Sequence, residues 1–235
     1  MNNFKLYKNV PTGPIPQTPL SNEFCVGETT LLCKNQIEII REYGTLISYP
    51  EECNGALFQD VIPIKALAYS QTSTSSKQPL EIHTEQAFSD DRPDFLSLAC
   101  LNGDPFAETY ILTLDTLLEH LTSEQIELLK QPLWMCGVDL SFVMNGFPSE
   151  KKGPMSILQN EKLIFDQNLM EGLTPEANDL IKIIVEIYNN FKTKIILETG
   201  DVLVIDNRVC VHGRSKFTPR FDGTDRFLIR CFAKI

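Results

Sequence analysis

The chain has 235 residues, of which 43% are hydrophobic and 22% charged, and a formal net charge of −10. That length can bury a sizeable core, and an acidic balance argues against a nucleic-acid surface, which needs clustered lysine and arginine. No window approaches the ~18 apolar residues of a membrane span, and the opening stretch MNNFKLYKNVPTGPIPQTPL holds no signal-like apolar run. The seven cysteines (Cys25, Cys33, Cys53, Cys100, Cys136, Cys210 and Cys231) are scattered, odd in number and free of any CxxC pair. Such a set reads as reduced, mostly buried thiols in an intracellular protein; with the acidic charge and the lack of an apolar span, the expectation is a cytoplasmic protein with neither membrane nor nucleic acid as partner. The expectation is a single domain over residues 1–235.

In chain order, residues 1–22 carry four prolines and little periodicity, and read as an irregular arm laid on the domain. From Glu28 to Tyr43 the spacing of Leu31, Ile37 and Ile40 predicts a helix closed by Gly44. Short β-rich runs follow in TLISYP and GALFQDVIPI, then a polar loop at 70–79, SQTSTSSKQP, which is a lid candidate. EIHTEQAF (81–88) and the apolar DFLSLACL (94–101) read as strands, and 113–131 as two short helices broken near Thr122–Ser123. LSFVMNG and GPMSILQNEKLIFD read as short strands. TPEANDLIKIIVEIYNNF (174–191) is the clearest helix, with Thr174 as N-cap and Pro175 at the first helical position. The rest alternates strand and turn, with turn signals at Gly200-Asp201 and Asp206-Asn207. Many short strands with a few helices imply a β-sandwich or barrel core with helices packed outside.

Only three histidines are present. In a strand, His83 and Glu85 of HTE project to one side, so an imidazole and a carboxylate converge. His120, in TLLEHLTSEQ, reads as a helix-terminal surface histidine. His212, in VCVHGRSKF, ends a β-run and precedes Gly213, which lets the backbone approach a neighbour closely. His83, Glu85 and His212 together make the two-histidine, one-carboxylate set that holds one face of Fe(II) and leaves positions open. HxE alone is a weak signal. The last strand, DGTDRFLIRCF, strengthens it by placing Arg226 and Arg230 on one face and Phe227, Ile229 and Cys231 on the other. Two inward guanidiniums are costly to bury without anions and suit carboxylates in bidentate contact; structural salt bridges are the plainer explanation for them.

With HTE, RPDFLSLACLNGD and the tail GDVLVIDNRVCVHGRSKFTPRFDGTDRFLIR, the chain resembles the clavaminate synthase-like branch of the Fe(II)/2-oxoglutarate-dependent oxygenases, which includes bacterial arginine, asparagine and lysine hydroxylases. The likeness runs from about GALFQDVIP onward. It implies a distorted double-stranded β-helix, or jelly roll, cupin-like and mainly β with flanking helices. It also implies Fe(II) on His83, Glu85 and His212, with 2-oxoglutarate as cosubstrate and O2 as oxidant. By the same resemblance Arg226 partners the distal carboxylate of 2-oxoglutarate and Thr109 assists it. Arg230 holds the α-carboxylate of an amino-acid substrate, and Asp166 reads its polar end. Gln59 is a further candidate for that pocket, although a strand-edge glutamine usually faces water. Retention of Glu85 disfavours the halogenase variant of the chemistry, and desaturation stays open beside hydroxylation. An acidic reader at Asp166 ranks lysine and arginine first among free amino-acid substrates, ahead of ornithine, asparagine and glutamine. Two other readings remain: an oxygenase of a peptide- or carrier-bound residue, and a jelly-roll protein that binds metal or carboxylate without turnover.

Overall fold

The computed structural model describes residues 3–235. Its elements begin with β1 (Phe4–Tyr7), α1 (Leu31–Arg41), β2 (Thr45–Ile47), β3 (Gln59–Val61), β4 (Leu80–His83), β5 (Phe95–Asn102) and β6 (Glu108–Thr113). Next come α2 (Leu114–Glu119), α3 (Ser123–Leu129), β7 (Trp134–Cys136), α4 (Leu140–Met144), β8 (Lys152–Met155), β9 (Leu158–Gln159), β10 (Lys162–Leu163) and β11 (Met170–Gly172). The chain closes with α5 (Pro175–Phe191), β12 (Thr193–Ile196), β13 (Val202–Asp206), β14 (Cys210–Arg214) and β15 (Phe227–Lys234).

A major antiparallel sheet runs β1-β13-β5-β15-β2, with β3 also on β15. A minor sheet runs β12-β6-β14-β4. The non-consecutive neighbours are the crossovers of a jelly roll, the architecture expected from the strand count. The strands of the major sheet alternate strictly, as period two demands. Leu203, Ile205, Leu228 and Phe232 enter the core between the layers. Val202, Val204, Phe227, Ile229 and Cys231 face outward against Leu32, Cys33 and Ile40 of α1. The outward face therefore needs α1 as a cover, and Thr30 starts that helix by accepting a bond from the Cys33 amide. The clearest predicted helix is present as α5, capped by Thr174 with Pro175 in its first turn. Thr122 and Gln125 form a reciprocal capping box at the break between α2 and α3.

Three local readings change. Phe4–Tyr7 of the proline-containing arm form β1, which pairs with Ile205–Val202 of β13 and so completes an edge of the major sheet. The first two residues of that arm lie outside the described residues. LSFVMNG is helical: Phe142 is its one buried residue, and its turns close on Asp139, so the segment lacks a strand partner and a second buried face. The HTE strand ends at His83. Thr84 donates its amide to the Phe165 carbonyl and the chain then turns, with Gln86 at φ 54°.

All seven cysteines are free thiols, and burial pushes those of Cys33 and Cys100 up to about 12. Among the described residues no helix is long and apolar enough to cross a membrane.

Gly213 faces α5. A Cβ there would sit 2.7 Å from the Leu80 carbonyl oxygen and 2.8 Å from the Tyr188 hydroxyl. Gly213→Ala is expected to lower unfolding stability by about 1–3 kcal/mol in urea titration, and adding Tyr188→Phe is expected to recover part of the loss.

Candidate active site

β14 pairs with β4 so that His212 lies opposite His83. Their rings stand 4.5 Å apart, centroid to centroid. Glu85 reaches the same point from the turn after β4, where Asn207 fixes it: Asn207 Oδ1 accepts the Glu85 amide at 2.7 Å and Asn207 Nδ2 donates to the Glu85 carbonyl at 3.2 Å. The ligating atoms of His83, Glu85 and His212 all lie within 4.8 Å of one another. His83 donates Nδ1–H to the Glu81 carbonyl at 2.8 Å, which leaves Nε2 with a lone pair for a ligand. His212 Nε2 is 3.3 Å from Glu85 Oε1.

The protonation states suit a cation. Burial, then His83, lowers His212 against the pull of Glu85, and so favours the neutral imidazole. Burial alone would raise Glu85, but Arg230 and the two histidines outweigh it and hold the carboxyl well below the usual carboxylate range. The His83 Nε2, the neutral imidazole of His212 and the ionised Glu85 carboxylate on one side of a cavity match the donor set of a divalent iron site with open positions.

The cavity around these residues holds about 450 Å³. At one end Arg226 is buried, and its Nη2 lies 3.5 Å from Thr109 Oγ1 of β6. At the other, Arg230 is engaged from three sides. Its Nε donates to Gln59 Oε1 at 2.9 Å, its Nη1 lies 3.5 Å from Glu85 Oε1, and Nη2 pairs with Glu52. Glu52 and Glu85 raise Arg230 beyond the usual arginine range against the effect of burial. Gln59, opposite Arg230 in the β3–β15 register, is buried and supports this guanidinium from behind; the cavity wall itself is made by Arg230 and Glu52.

Asp166 is both a turn aspartate and a lining residue. Its Oδ1 accepts the amides of Asn168 and Leu169 at 2.8 Å each, which leaves Oδ2 for a ligand. Burial raises its pKa, against His83 and those amides. Asp139 occupies the N-cap position of α4 yet makes no capping bond, and its side chain lines the same wall. Burial, then the neighbouring Asp166, pushes it up to about 7.

Glu52, Asp139 and Arg214 were not singled out from sequence. Glu52 stands in a turn segment without periodicity, and Arg214 follows His212 in a run dominated by HG. Asp139 had one usable sign, an aspartate just ahead of an apolar run. His120 is stacked on Phe191 at 3.6 Å, away from the cavity.

Residues 142–232 match the family described as taurine catabolism dioxygenase TauD, TfdA family. The chain is 44% identical over 225 residues to an L-lysine 3-hydroxylase of Catenulispora acidiphila, covering 93% of this chain and 63% of that protein. It is 32% identical over 225 residues to an L-asparagine oxygenase of Streptomyces coelicolor, covering 93% and 66%. It therefore spans less than two thirds of the length of either. Asparagine oxygenase in complex with Fe(II), 2S,3S-3-hydroxyasparagine and succinate superposes with a TM-score of 0.91 at 29% identity, over 99% of this chain and 74% of that one. The non-heme iron oxygenase OrfP, in complex with Fe, succinate and (3S)-hydroxy-L-Arg, shares the fold at a TM-score of 0.87 and 23% identity, over 99% of this chain and 76% of that one.

Cobalt(II) or manganese(II) is expected to raise the thermal midpoint by several degrees at about 100 times the dissociation constant, where linkage gives about 2.7 kcal/mol. His212→Ala should abolish the shift. An equal shift in that variant would place the metal elsewhere.

Proposed function

We propose that the chain, which matches the TauD/TfdA family over residues 142–232, is a clavaminate synthase-like Fe(II)/2-oxoglutarate oxygenase and hydroxylates an unactivated C–H of a free L-amino acid with a cationic side chain, lysine first. The observation that carries this reading is the polarity of one cavity. Arg214 and Arg226 stand at one end, Asp139 and Asp166 at the other beside the paired Arg230, and His83, Glu85 and His212 between them. The 44% identity with an L-lysine 3-hydroxylase supports lysine over asparagine.

Fe(II) on His83, Glu85 and His212, with 2-oxoglutarate and O2, would supply the oxidising power, placing one oxygen atom in the substrate C–H and the other in succinate as CO2 leaves. The chain's own residues do the positioning. Arg226, with the Thr109 hydroxyl beside it, holds the distal carboxylate of the cosubstrate in a water-poor end where a charge-assisted bond is strong. The Arg230–Glu52 pair presents one cation and one anion together, which suits the carboxylate and ammonium of an amino-acid zwitterion; Gln59 keeps the guanidinium aimed. Asp139 and Asp166 then meet the side-chain ammonium. Held at both ends, the substrate turns a fixed carbon toward the metal, and that orientation carries much of the rate.

Incubating the protein with Fe(II), ascorbate, 2-oxoglutarate and air, with each free L-amino acid in turn, tests this. Succinate formed in step with a lysine product heavier by one oxygen is expected, and none with His212→Ala. Succinate without any oxygenated amino acid would sink the free-amino-acid substrate and favour a tethered one. No iron-dependent succinate would favour the non-catalytic binding reading. In the same assay Asp139→Asn should raise KM for lysine about tenfold or more, the effect of one lost charge-assisted bond.

The pH profile follows from the raised aspartate. Below about 7 Asp139 is protonated and offers no charge to the ammonium; above it the carboxylate is ionised beside Asp166, Glu85, Glu52 and His83. The affinity for lysine should therefore rise as pH increases through about 7 and then level off. In Asp139→Asn that rise should be absent. An unchanged rise would assign it to another group.

A further inference from the structure

His212 and Arg214 are two residues apart on β14 and share the face that lines the cavity, while Gly213 between them turns to α5. Across the sheet Arg214 lies opposite Thr109, whose hydroxyl meets Arg226. One end of the cavity therefore holds two buried guanidiniums, at 4% and 5% exposure for Arg214 and Arg226. Among the described residues neither has a carboxylate in salt-bridge contact.

The bonds of Arg214 go to neutral oxygens: Nε to the Ser215 carbonyl at 3.1 Å, Nη1 to the Ser73 carbonyl at 3.2 Å and Nη2 to Ser75 Oγ at 3.0 Å. Its guanidinium also lies 5.1 Å from the centre of the Phe217 ring, and the Phe217 amide donates to the Ser76 carbonyl at 2.8 Å. Two of those three acceptors belong to the polar segment 71–76. Gln71, Thr72, Ser73 and Thr74 line the cavity, and Thr74, Ser75 and Ser76 are buried although the segment has no apolar side chain to anchor it. Arg214 ties this stretch to β14, beside backbone bonds from the Ile64 amide to the Thr74 carbonyl and from the Ser76 amide to the Ala68 carbonyl. Three of the Arg214 side chain's five N–H groups are used, and its charge is uncompensated. A buried cation in that state is costly until an anion arrives.

We propose that Arg214 is a positioning residue whose charge helps Arg226 hold the distal carboxylate of a dicarboxylate cosubstrate, and whose fork holds segment 71–76 more firmly on the cavity when that anion is bound. The inference rests on the 2-oxoglutarate reading of the site. It makes the segment respond to the cosubstrate, whereas a segment that closed over the amino acid would respond to lysine. Arg214 acting only as a structural pin would leave the segment indifferent to both.

The test uses the whole chain loaded with Fe(II) under anaerobic conditions, so that nothing turns over. Hydrogen exchange of amides in 71–79 is followed with 2-oxoglutarate, with lysine and with neither, and 2-oxoglutarate affinity is measured by calorimetry. Exchange in 71–79 should slow about fivefold or more with 2-oxoglutarate and stay unchanged with lysine alone. Arg214→Gln should weaken 2-oxoglutarate about tenfold and leave Fe(II) binding intact. Arg214→Lys should recover part of the affinity without the protection, because an ammonium cannot span Ser73 and Ser75 as a fork does. Ser75→Ala should lose much of the protection with a smaller loss of affinity; if Arg214→Gln does not fold, this variant and the wild-type exchange decide. Equal exchange with and without 2-oxoglutarate, or wild-type affinity in a folded Arg214→Gln, would overturn the proposal. A wild-type protein that binds Fe(II) but no 2-oxoglutarate would instead overturn the functional reading beneath it, and this proposal with it.

Discussion

The register that sets His212 opposite His83 is the constraint on which the rest of the site depends. A one-residue slip of β14 against β4 would turn His212 out of the cavity and put Gly213 or Val211 in its place. Several unrelated contacts hold the register. Gly213 allows the close approach of β14 to the Leu80 carbonyl and to Tyr188, and β6 pairs the other edge of β14 along five residues. The third donor is set by a different device, since Glu85 lies in a turn whose backbone is clamped by Asn207. Two strands and a turn thus bring three side chains to one point, and the jelly roll supplies the rigid layers behind them.

Around that point the protein buries an unusual number of charges, and they are sorted. Arg214 and Arg226 occupy one end without ion pairs among the described residues, and Asp139 and Asp166 occupy the other with pKa values pushed up by burial. Arg230 alone is fully matched, to Glu52 and Glu85. Desolvated charge of one sign is tolerated when a ligand of the other sign completes it. The cosubstrate and substrate proposed for this cavity would bring the opposite charges to its two ends: a dianion for the arginines, a cation for the aspartates. Binding energy gathered at both ends is then available to orient the bond that reacts.

Much of this was legible from residue order, for identifiable reasons. Period two in the last strand placed Arg226 and Arg230 on one face and Phe227, Ile229 and Cys231 on the other, and that alternation survives although Arg226 lies just before β15 and the β15–β5 register shifts between Phe227 and Leu228. The caps at Thr122 and Thr174 are local chemistry and were readable as such. HTE was read as one continuous strand. The convergence of His83 and Glu85 is real, but a turn and Asn207 produce it, more than a hundred residues away in sequence. Glu52 and Arg214 were invisible for the same reason, since their partners Arg230 and Ser73 come from distant parts of the chain. The short helix at Leu140–Met144 carries too few buried positions to show a period, and the aspartate ahead of its apolar run, Asp139, looks like an ordinary helix cap until the structure shows that it makes no capping bond.

The most direct measurement compares L-lysine with L-norleucine, which keeps the carbon chain and both α-groups and lacks only the ε-ammonium. The two would be offered separately to the Fe(II)-loaded protein with 2-oxoglutarate and air, and kcat/KM would be taken from the oxygenated amino acid formed. If Asp139 and Asp166 read a cation, lysine should be favoured by about 100-fold or more, the worth of about 2.7 kcal/mol of charge-assisted contact. Equal use of the two amino acids would contradict the account, since the acidic end of the cavity would then contribute nothing to choosing or holding the substrate.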